Sequence, residues 1–369
     1  MSNSSKLGKI LIKNNIEFVT GVPDSLLKPF IQKLKKFPKI KHMSAVNEGN
    51  AIALAAGWQV SKNKLPLVYM QNSGLGNAVN PLISLTHQKV YSIPLVLLIG
   101  WRGEPNKYDE PQHVEMGKIT RDILNLLKIK NLILGKFFDQ SKIEKIISYA
   151  FKKKRVVALL IKKEFFKDDQ VNINSDYNNN EVTRFDFLKS LLSQIPKNTK
   201  IISTTGYTSR EVNEIRKENK FLNGKDFYMV GAMGHTSIFS LGVAEGLRGK
   251  KKIVCIDGDG SMLMHLGSLF SIGKQQKLKL KYILLNNNCH ESVGSQQTGI
   301  NSVNLKLLSK SLGFKTYLKI SKKKEMKNKI NKFLEKETLS FLEVKIKNKS
   351  IKNLGRPKNF KNVLKNFIL

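Results

Sequence analysis

Short apolar runs rich in β-branched residues alternate along this chain with stretches whose apolar positions recur at helical spacing. EFVTGV (17–22), PLVYMQ (66–71), PLVLLIG (94–100) and RVVALLI (155–161) read as strands of the first half. Between and after them the pattern predicts helices over 24–37, 48–61, 77–86 and 141–153. The second half repeats the alternation. KIISTTG (200–206) precedes a helix to Lys217, a Gly-rich turn at 231–234 and a helix to Leu247. KIVCIDG (252–258), a helix over 262–276, KYILLNN (281–287) and a last pair ending in LEVKIK (342–347) follow. A parallel strand pair needs a crossover connection, and the interleaved helices supply it. The expected fold is therefore α/β: two domains, each a mostly parallel sheet flanked by helices. KDDQVNINSDYNNNEV, polar and almost free of large apolar side chains, reads as the connection between them. The expected boundaries are a first domain 1–166, a linker 167–182, a second domain 183–350 and a basic tail 351–369.

Composition sharpens this picture at three points. A chain of 369 residues is too long for one ordinary core and suits two. No apolar run approaches the ~20 residues that span a bilayer, and MSNSSKLGKILIKNN lacks the apolar core of a signal peptide. Cys255 and Cys289, one in a strand and one in a loop, give no disulfide framework, so a cytoplasmic protein is expected. The net charge of +36 raises nucleic-acid binding as an alternative of a different class. Only 8 of the 64 cationic residues are Arg, however, the side chain whose planar fork reads bases and phosphates. The lysines are spread along the chain beside abundant Asn and Ile, the pattern of a solvated surface. No specific nucleic-acid partner and no membrane association are expected.

Chemistry concentrates where such sheets collect ligands, at the carboxyl ends of strands. KIVCIDG runs into Asp257, Gly258, Asp259, Gly260 and Ser261. KYILLNN opens into Asn286-Asn287-Asn288, starting 27 residues after Asp259. Mg²⁺ takes oxygen ligands in octahedral array, typically one or two carboxylates with substrate phosphates. Asp259 offers a carboxylate, an Asn from the neighbouring strand end a neutral oxygen, and a main-chain carbonyl beyond it a third. Gly258 and Gly260 let the backbone approach a phosphate closely, and the helix expected from Met262 aims amides at the same anion. A bare Asp-Gly turn is common; the paired strand ends are what distinguish this one.

This GDG…NN arrangement resembles the thiamine diphosphate motif. The resemblance implies thiamine diphosphate and Mg²⁺ as cofactors, with Asp259 and Asn287 as side-chain metal ligands and Cys289 giving its backbone carbonyl. The spacing is about one residue longer than in several relatives, so Asn286 is the rival to Asn287. Gly258, Gly260, Ser261 and, from STTGYTSRE (203–211), Thr205 and Gly206 are implied at the diphosphate. In VGAMGHTS (230–237) the resemblance makes Met233 the wedge under the aminopyrimidine, with Gly231 beside it. In VNEGNAIALAAGW (46–58) it makes Glu48 the carboxyl group that meets N1′ and activates the cofactor; read alone, Glu48 is an acid placed favourably in a helix's first turn.

Six stretches resemble the phosphonopyruvate and sulfopyruvate decarboxylases, the first of these most closely. They are GVPDSLLKPF (21–30), NEGNAIALAAGW (47–58), MQNSGLGNAVNPL (70–82), GWRGEP (100–105), DEPQH (109–113) and NNNCHESVG (286–294). Asn288-Cys289 replaces the Gly-Ala pair expected after two Asn. The resemblance implies decarboxylation of 3-phosphonopyruvate to phosphonoacetaldehyde in phosphonate biosynthesis, with sulfopyruvate or another 2-oxo acid as the alternative. A substrate carrying two anionic groups needs cations and donors, and Arg102, Lys107 and Asn72 lie in the matching loops. Asp24, Ser25, His113 and His290 are the implied catalytic candidates besides Glu48, His113 for protonating the decarboxylated intermediate. The family also implies a homodimer or a dimer of dimers, each site formed by two subunits.

Overall fold

The structure, a computed structural model, describes residues 1–166, 180–218, 225–248, 250–275, 277–351 and 353–368. The chain divides into two compact units, Met1–Ile173 and Asn174–Leu369. The expected linker falls for the most part outside the described residues. Val182 at its end is buried and bridges to Ile346 in the second unit.

The strands of the first unit are β1 (Phe18–Gly21), β2 (Lys41–Ser44), β3 (Leu67–Gln71), β4 (Val96–Gly100), β5 (Lys130–Leu134) and β6 (Val157–Ile161). Its helices are α1 (Asn3–Lys13), α2 (Lys28–Lys33), α3 (Glu48–Lys62), α4 (Leu75–Pro81), α5 (Pro111–Leu126) and α6 (Gln140–Lys153). Among the described residues the sheet order is β2-β1-β3-β4-β6-β5, and every pairing is parallel. Successive residues of a strand point to opposite faces, so β3 and β4 feed two cores. Leu67, Tyr69, Val96 and Leu98 pack on one side; Val68, Met70, Leu97 and Ile99 pack on the other. Burying each such side chain is worth about 1.5–3 kcal/mol, which is why both faces must be covered.

The second unit has β7 (Lys200–Ser203), β8 (Lys225–Tyr228), β9 (Ile253–Gly258), β10 (Leu280–Asn286), β11 (Thr316–Ile320) and β12 (Ser340–Lys345). Its helices are α7 (Arg184–Gln194), α8 (Tyr207–Glu218), α9 (Thr236–Gly246), α10 (Asp259–Met264), α11 (Gly267–Gly273), α12 (Leu305–Ser311), α13 (Met326–Glu335) and α14 (Phe360–Ile368). The order β8-β7-β9-β10-β12-β11 is that of the first unit, strand for strand. In each unit the direction of winding reverses between the first strand and the third, which opens a crevice at their carboxyl ends. The expected α/β architecture is thus the observed one. Among the described residues no helix is long and apolar enough to cross a membrane.

Local differences from expectation have local causes. The helix expected over 24–37 is shortened to α2 because the Asp24 side chain accepts from the amides of Leu26 and Leu27, at 2.9 and 3.2 Å, and holds a turn there. The helix expected over 262–276 starts at Asp259 and is broken at His265, whose φ and ψ are −136° and 56°. β2, β5 and β8 escape the apolar-run criterion because each forms one edge of its sheet or neighbours it, half exposed. The basic tail contains α14. Its Phe367 is buried edge-on against Phe227, and Lys200 Nζ donates to the Phe367 carbonyl.

Candidate active site

The third strand of the second unit, β9, delivers two carboxylates with opposite surroundings. Asp257, still in the strand, is buried; it accepts from Gly258 N at 2.9 Å and from Tyr282 OH at 3.0 Å, and belongs to the wall. Asp259, two residues further at the start of α10, is 3% exposed and accepts from Thr298 Oγ1 at 2.6 Å. Burial pushes its carboxyl up to about 6. Lys345, the cation that acts on it, is itself paired with Glu343 at 3.2 Å. A nearly buried carboxylate in that position is complementary to a cation arriving with a ligand.

Hydroxyls and amides surround this acid. Thr204 Oγ1 donates to Ser261 Oγ at 3.2 Å, and Gly234 N donates to the same oxygen at 3.1 Å. Gly231 N donates to Thr205 Oγ1 at 3.1 Å, so the turns after β7 and β8 are tied together beside the start of α10. Gly206, Gly231 and Gly234 hold positive φ (89°, 70° and 87°), which few other residues adopt. A Cβ on Gly260 would lie 2.7 Å from His290 Nδ1 and 3.4 Å from Met233 Cε. That glycine therefore brings the Met233 and His290 side chains up to the backbone that follows Asp259. Burial pushes His290 down to about 4, leaving a neutral imidazole.

At the end of β10 the two asparagines separate. Asn286 is in the strand; its amide donates to Glu343 Oε1 at 2.9 Å and its oxygen accepts from Asn288 N at 3.1 Å. Asn287 lies beyond the strand end. Its Oδ1 accepts from Cys289 N at 3.3 Å, and its Nδ2 donates to Glu291 Oε2 at 3.3 Å. Cys289 is a free, buried thiol that burial pushes up to about 12, so it is not a nucleophile at neutral pH. Thr298 N donates to the Asn288 carbonyl at 3.1 Å and its hydroxyl to Asp259, linking the two strand ends.

In the first unit Glu48 is the first residue of α3, capped by Asn47, whose side chain accepts from Asn50 N at 2.8 Å. Glu48 is 6% exposed, and its Oε2 accepts from Asn77 Nδ2 at 2.8 Å. A Cβ on Gly74 would stand 2.4 Å from Glu48 Oε1, so the carboxyl group occupies space that only glycine leaves.

The loops after β1, β3 and β4 converge on Arg102, which Asp109 holds. The Asp109 carboxylate accepts from Arg102 Nε at 2.8 Å and Nη2 at 2.5 Å, from Gly103 N and Glu110 N at 2.8 Å each, and from His113 Nδ1 at 3.0 Å. Burial opposes its charge, but Arg102 and His113 outweigh that and hold the carboxyl well below the usual range. A carboxylate only accepts, so His113 carries its proton on Nδ1 and leaves Nε2 for chemistry. Burial lowers the His113 pKa, and Asp109 partly offsets it. Arg102 Nη1 donates to Ser25 Oγ at 3.1 Å. Asp24, 1% exposed, is pushed up to about 6 by burial against the pull of Arg102. Asn72 is buried and fully occupied: its oxygen accepts from Arg102 N at 3.1 Å and its amide donates to Arg102 O and Thr120 Oγ1. It shapes the Arg102 turn. Lys107 is exposed and pairs with Glu164 at 3.5 Å, outside this cluster.

The structure thus groups Asp24, Ser25, Arg102 and His113 in one unit, and Met233, Gly260, Ser261, Asp259 and His290 in the other. Sequence reasoning passed over Asp109, Asn77, Thr298 and Glu291. Asp109 and Glu291 stand inside the quoted DEPQH and NNNCHESVG stretches; Thr298 carries no local signal.

Two regions of the chain match known families: residues 2–124 match the thiamine pyrophosphate enzyme N-terminal TPP binding domain, and residues 204–344 the C-terminal TPP binding domain. They define the class, a thiamine pyrophosphate enzyme. The chain is 32% identical to a phosphonopyruvate decarboxylase of Streptomyces viridochromogenes, over 92% of this chain and 87% of that one. It is 31% identical to a phosphonopyruvate decarboxylase of Streptomyces hygroscopicus, over 92% and 86%, and 27% identical to a sulfopyruvate decarboxylase of Methanosarcina acetivorans, over 93% and 90%. The chain belongs to the family of thiamine pyrophosphate-dependent decarboxylases that these relatives represent.

Proposed function

We propose that this chain is a cytoplasmic phosphonopyruvate decarboxylase that uses Mg²⁺ with thiamine diphosphate and releases phosphonoacetaldehyde and CO₂ in phosphonate biosynthesis. The observation that carries the substrate assignment is the Asp109-centred cluster. It holds the Arg102 guanidinium and the His113 imidazole beside Asp24 and Ser25, a cation with proton-carrying groups suited to a small dianionic keto acid. Relatives named phosphonopyruvate decarboxylase along most of the chain point the same way.

The residues present fit the cofactor and its metal. Asp259 and Asn287 would hold Mg²⁺ with the Cys289 carbonyl; Asn287 is favoured over Asn286 because it lies beyond the end of β10, where Asn286 is still in the strand. Gly258, Gly260, Ser261, Thr205 and Gly206 would receive the diphosphate, and Gly231 and Met233 the aminopyrimidine. When bound, thiamine diphosphate supplies the electron sink that accepts the pair left by departing CO₂. Glu48 keeps Oε2 on Asn77 and offers Oε1 as its proton-exchanging atom. Arg102 orients the anionic substrate, with Lys107 at the loop's outer end attracting it. His113 Nε2, and Asp24 with its carboxyl near 6, are positioned to pass the proton that replaces the carboxylate. His290, neutral, lines the wall. The working unit is a homodimer or a dimer of dimers.

Stripping metal with a chelator should abolish CO₂ release from phosphonopyruvate, and Mg²⁺ plus thiamine diphosphate should restore it. Asp259→Ala should not be restored. Full activity of Asp259→Ala without added metal would sink the assignment.

A further inference from the structure

Below the Asn287 strand end lies a buried ionic chain that the proposed chemistry does not use. Arg184, the first residue of α7, is almost wholly buried. Its Nη1 donates to Glu211 Oε1 of α8 at 3.1 Å, and its Nη2 to Glu291 Oε2 in the turn following β10. The same Glu291 oxygen accepts from Asn287 Nδ2 at 3.3 Å. Three elements distant in sequence thus meet at one guanidinium, and one of them ends at a metal-ligand candidate.

Stability is a poor reason for this chain to exist. Desolvating a cation and two carboxylates costs about as much as their attraction returns, and apolar side chains of the same volume would serve packing equally well. Orientation is a better one. An Asn side chain has two nearly isosteric ends, and only the oxygen binds a cation. A carboxylate accepts and does not donate. Glu291, held by the Arg184 fork, therefore forces the NH₂ end of Asn287 toward itself and the carbonyl end away. The Cys289 amide at 3.3 Å from Oδ1 agrees with that setting.

We infer that Glu291, anchored by Arg184, is a positioning residue that sets the Asn287 amide with its oxygen available to the metal. Glu211 holds the other arm of the Arg184 fork. This inference rests on the reading of Asn287 as a metal ligand.

The test is Mn²⁺ binding to the full-length protein with saturating thiamine diphosphate, followed by the paramagnetic resonance signal of free Mn²⁺. Glu291→Leu removes the acceptor while Arg184 keeps Glu211 as partner. It should raise the Mn²⁺ Kd tenfold to a hundredfold. Glu291→Gln, whose amide oxygen can still accept from both partners, should regain most of that loss, which mere space-filling would not explain. The double variant Glu291→Leu/Asn287→Ala should bind no more weakly than Asn287→Ala alone, because both changes act through one ligand. Wild-type affinity in Glu291→Leu, or additive losses in the double variant, would overturn the inference. Asn287→Ala separates the two readings: wild-type affinity there overturns the ligand assignment, whatever Glu291 does. Should Glu291→Leu not fold, Arg184→Lys replaces it. An ammonium cannot hold both carboxylates as a fork, so a weakened Mn²⁺ affinity with an unchanged melting temperature of the metal-free protein supports the inference, and an unchanged affinity overturns it.

Discussion

One added methyl group distinguishes the function of Glu48 from its contribution to the fold. A Cβ at position 74 would press on the Glu48 side chain, its carboxyl oxygen at 2.4 Å and its Cγ at 2.5 Å, and that side chain can turn to another rotamer without moving backbone. Gly74→Ala should therefore leave the melting temperature nearly unchanged while kcat falls about 10²-fold, the cost of an ångström-scale misplacement of a reacting group. Unchanged kcat would mean that Glu48 is not held in a catalytic pose. Asp24 gives a second residue-scale expectation, with its sign set by burial. Its carboxyl titrates near 6 in the folded chain against 3.8 ordinarily. Its contribution to stability is therefore full below about pH 3.8 and is lost as pH rises through about 6, some ~3 kcal/mol in all. The stability of Asp24→Asn relative to the wild type should improve by about that amount between about pH 4 and pH 7 in urea titrations. A pH-independent difference would contradict the buried-acid description. Asp24 and Asp259 could be singled out in the sequence because each stands within three residues of the end of a strand with a clear apolar run, whereas Glu48 follows β2, which leaves none, and was marked only by the motif around it. Asp109 and Arg184 were not legible there: their significance comes from partners that only the folded chain assembles, such as Glu211 and Glu291 for Arg184.

At the level of elements, α5 and the turn after β4 are locked by glycine. A Cβ on Gly117 would fall 1.7 Å from the Gly103 carbonyl oxygen, and Trp101 Nε1 donates to the Gly117 carbonyl at 2.9 Å. Backbone cannot yield as a side chain end does. Gly117→Ala should cost about 1–3 kcal/mol and loosen the loop that carries Asp109, lowering thermal stability and raising KM together. A variant with wild-type stability would show that α5 is free to slide. The central strands were legible because apolar residues on both faces leave long β-branched runs. The edge strands β2, β5 and β8 bury too little to leave one. The helix break at His265 is likewise tertiary in origin: Gly234 approaches that ring so closely that a Cβ there would lie 2.4 Å from it.

For the whole molecule, two units with one strand order each carry candidate site residues of their own: the Glu48 and Asp109 groups in one, Asp259 and Asn287 in the other. If sites form between subunits, as proposed, inactive Glu48→Gln and inactive Asp259→Ala should complement. A mixed dimer then has one site with both defects and one with neither, so activity should return on subunit exchange. No recovery despite demonstrated exchange would place each site within one chain. Substrate choice is the central claim, and kcat/KM for CO₂ release from phosphonopyruvate, sulfopyruvate and pyruvate, with thiamine diphosphate and Mg²⁺ present, tests it most directly. Phosphonopyruvate should lead by tenfold or more, about 1.4 kcal/mol of transition-state preference, with phosphonoacetaldehyde as product. A higher value for sulfopyruvate or pyruvate, or no CO₂ from phosphonopyruvate, would contradict it.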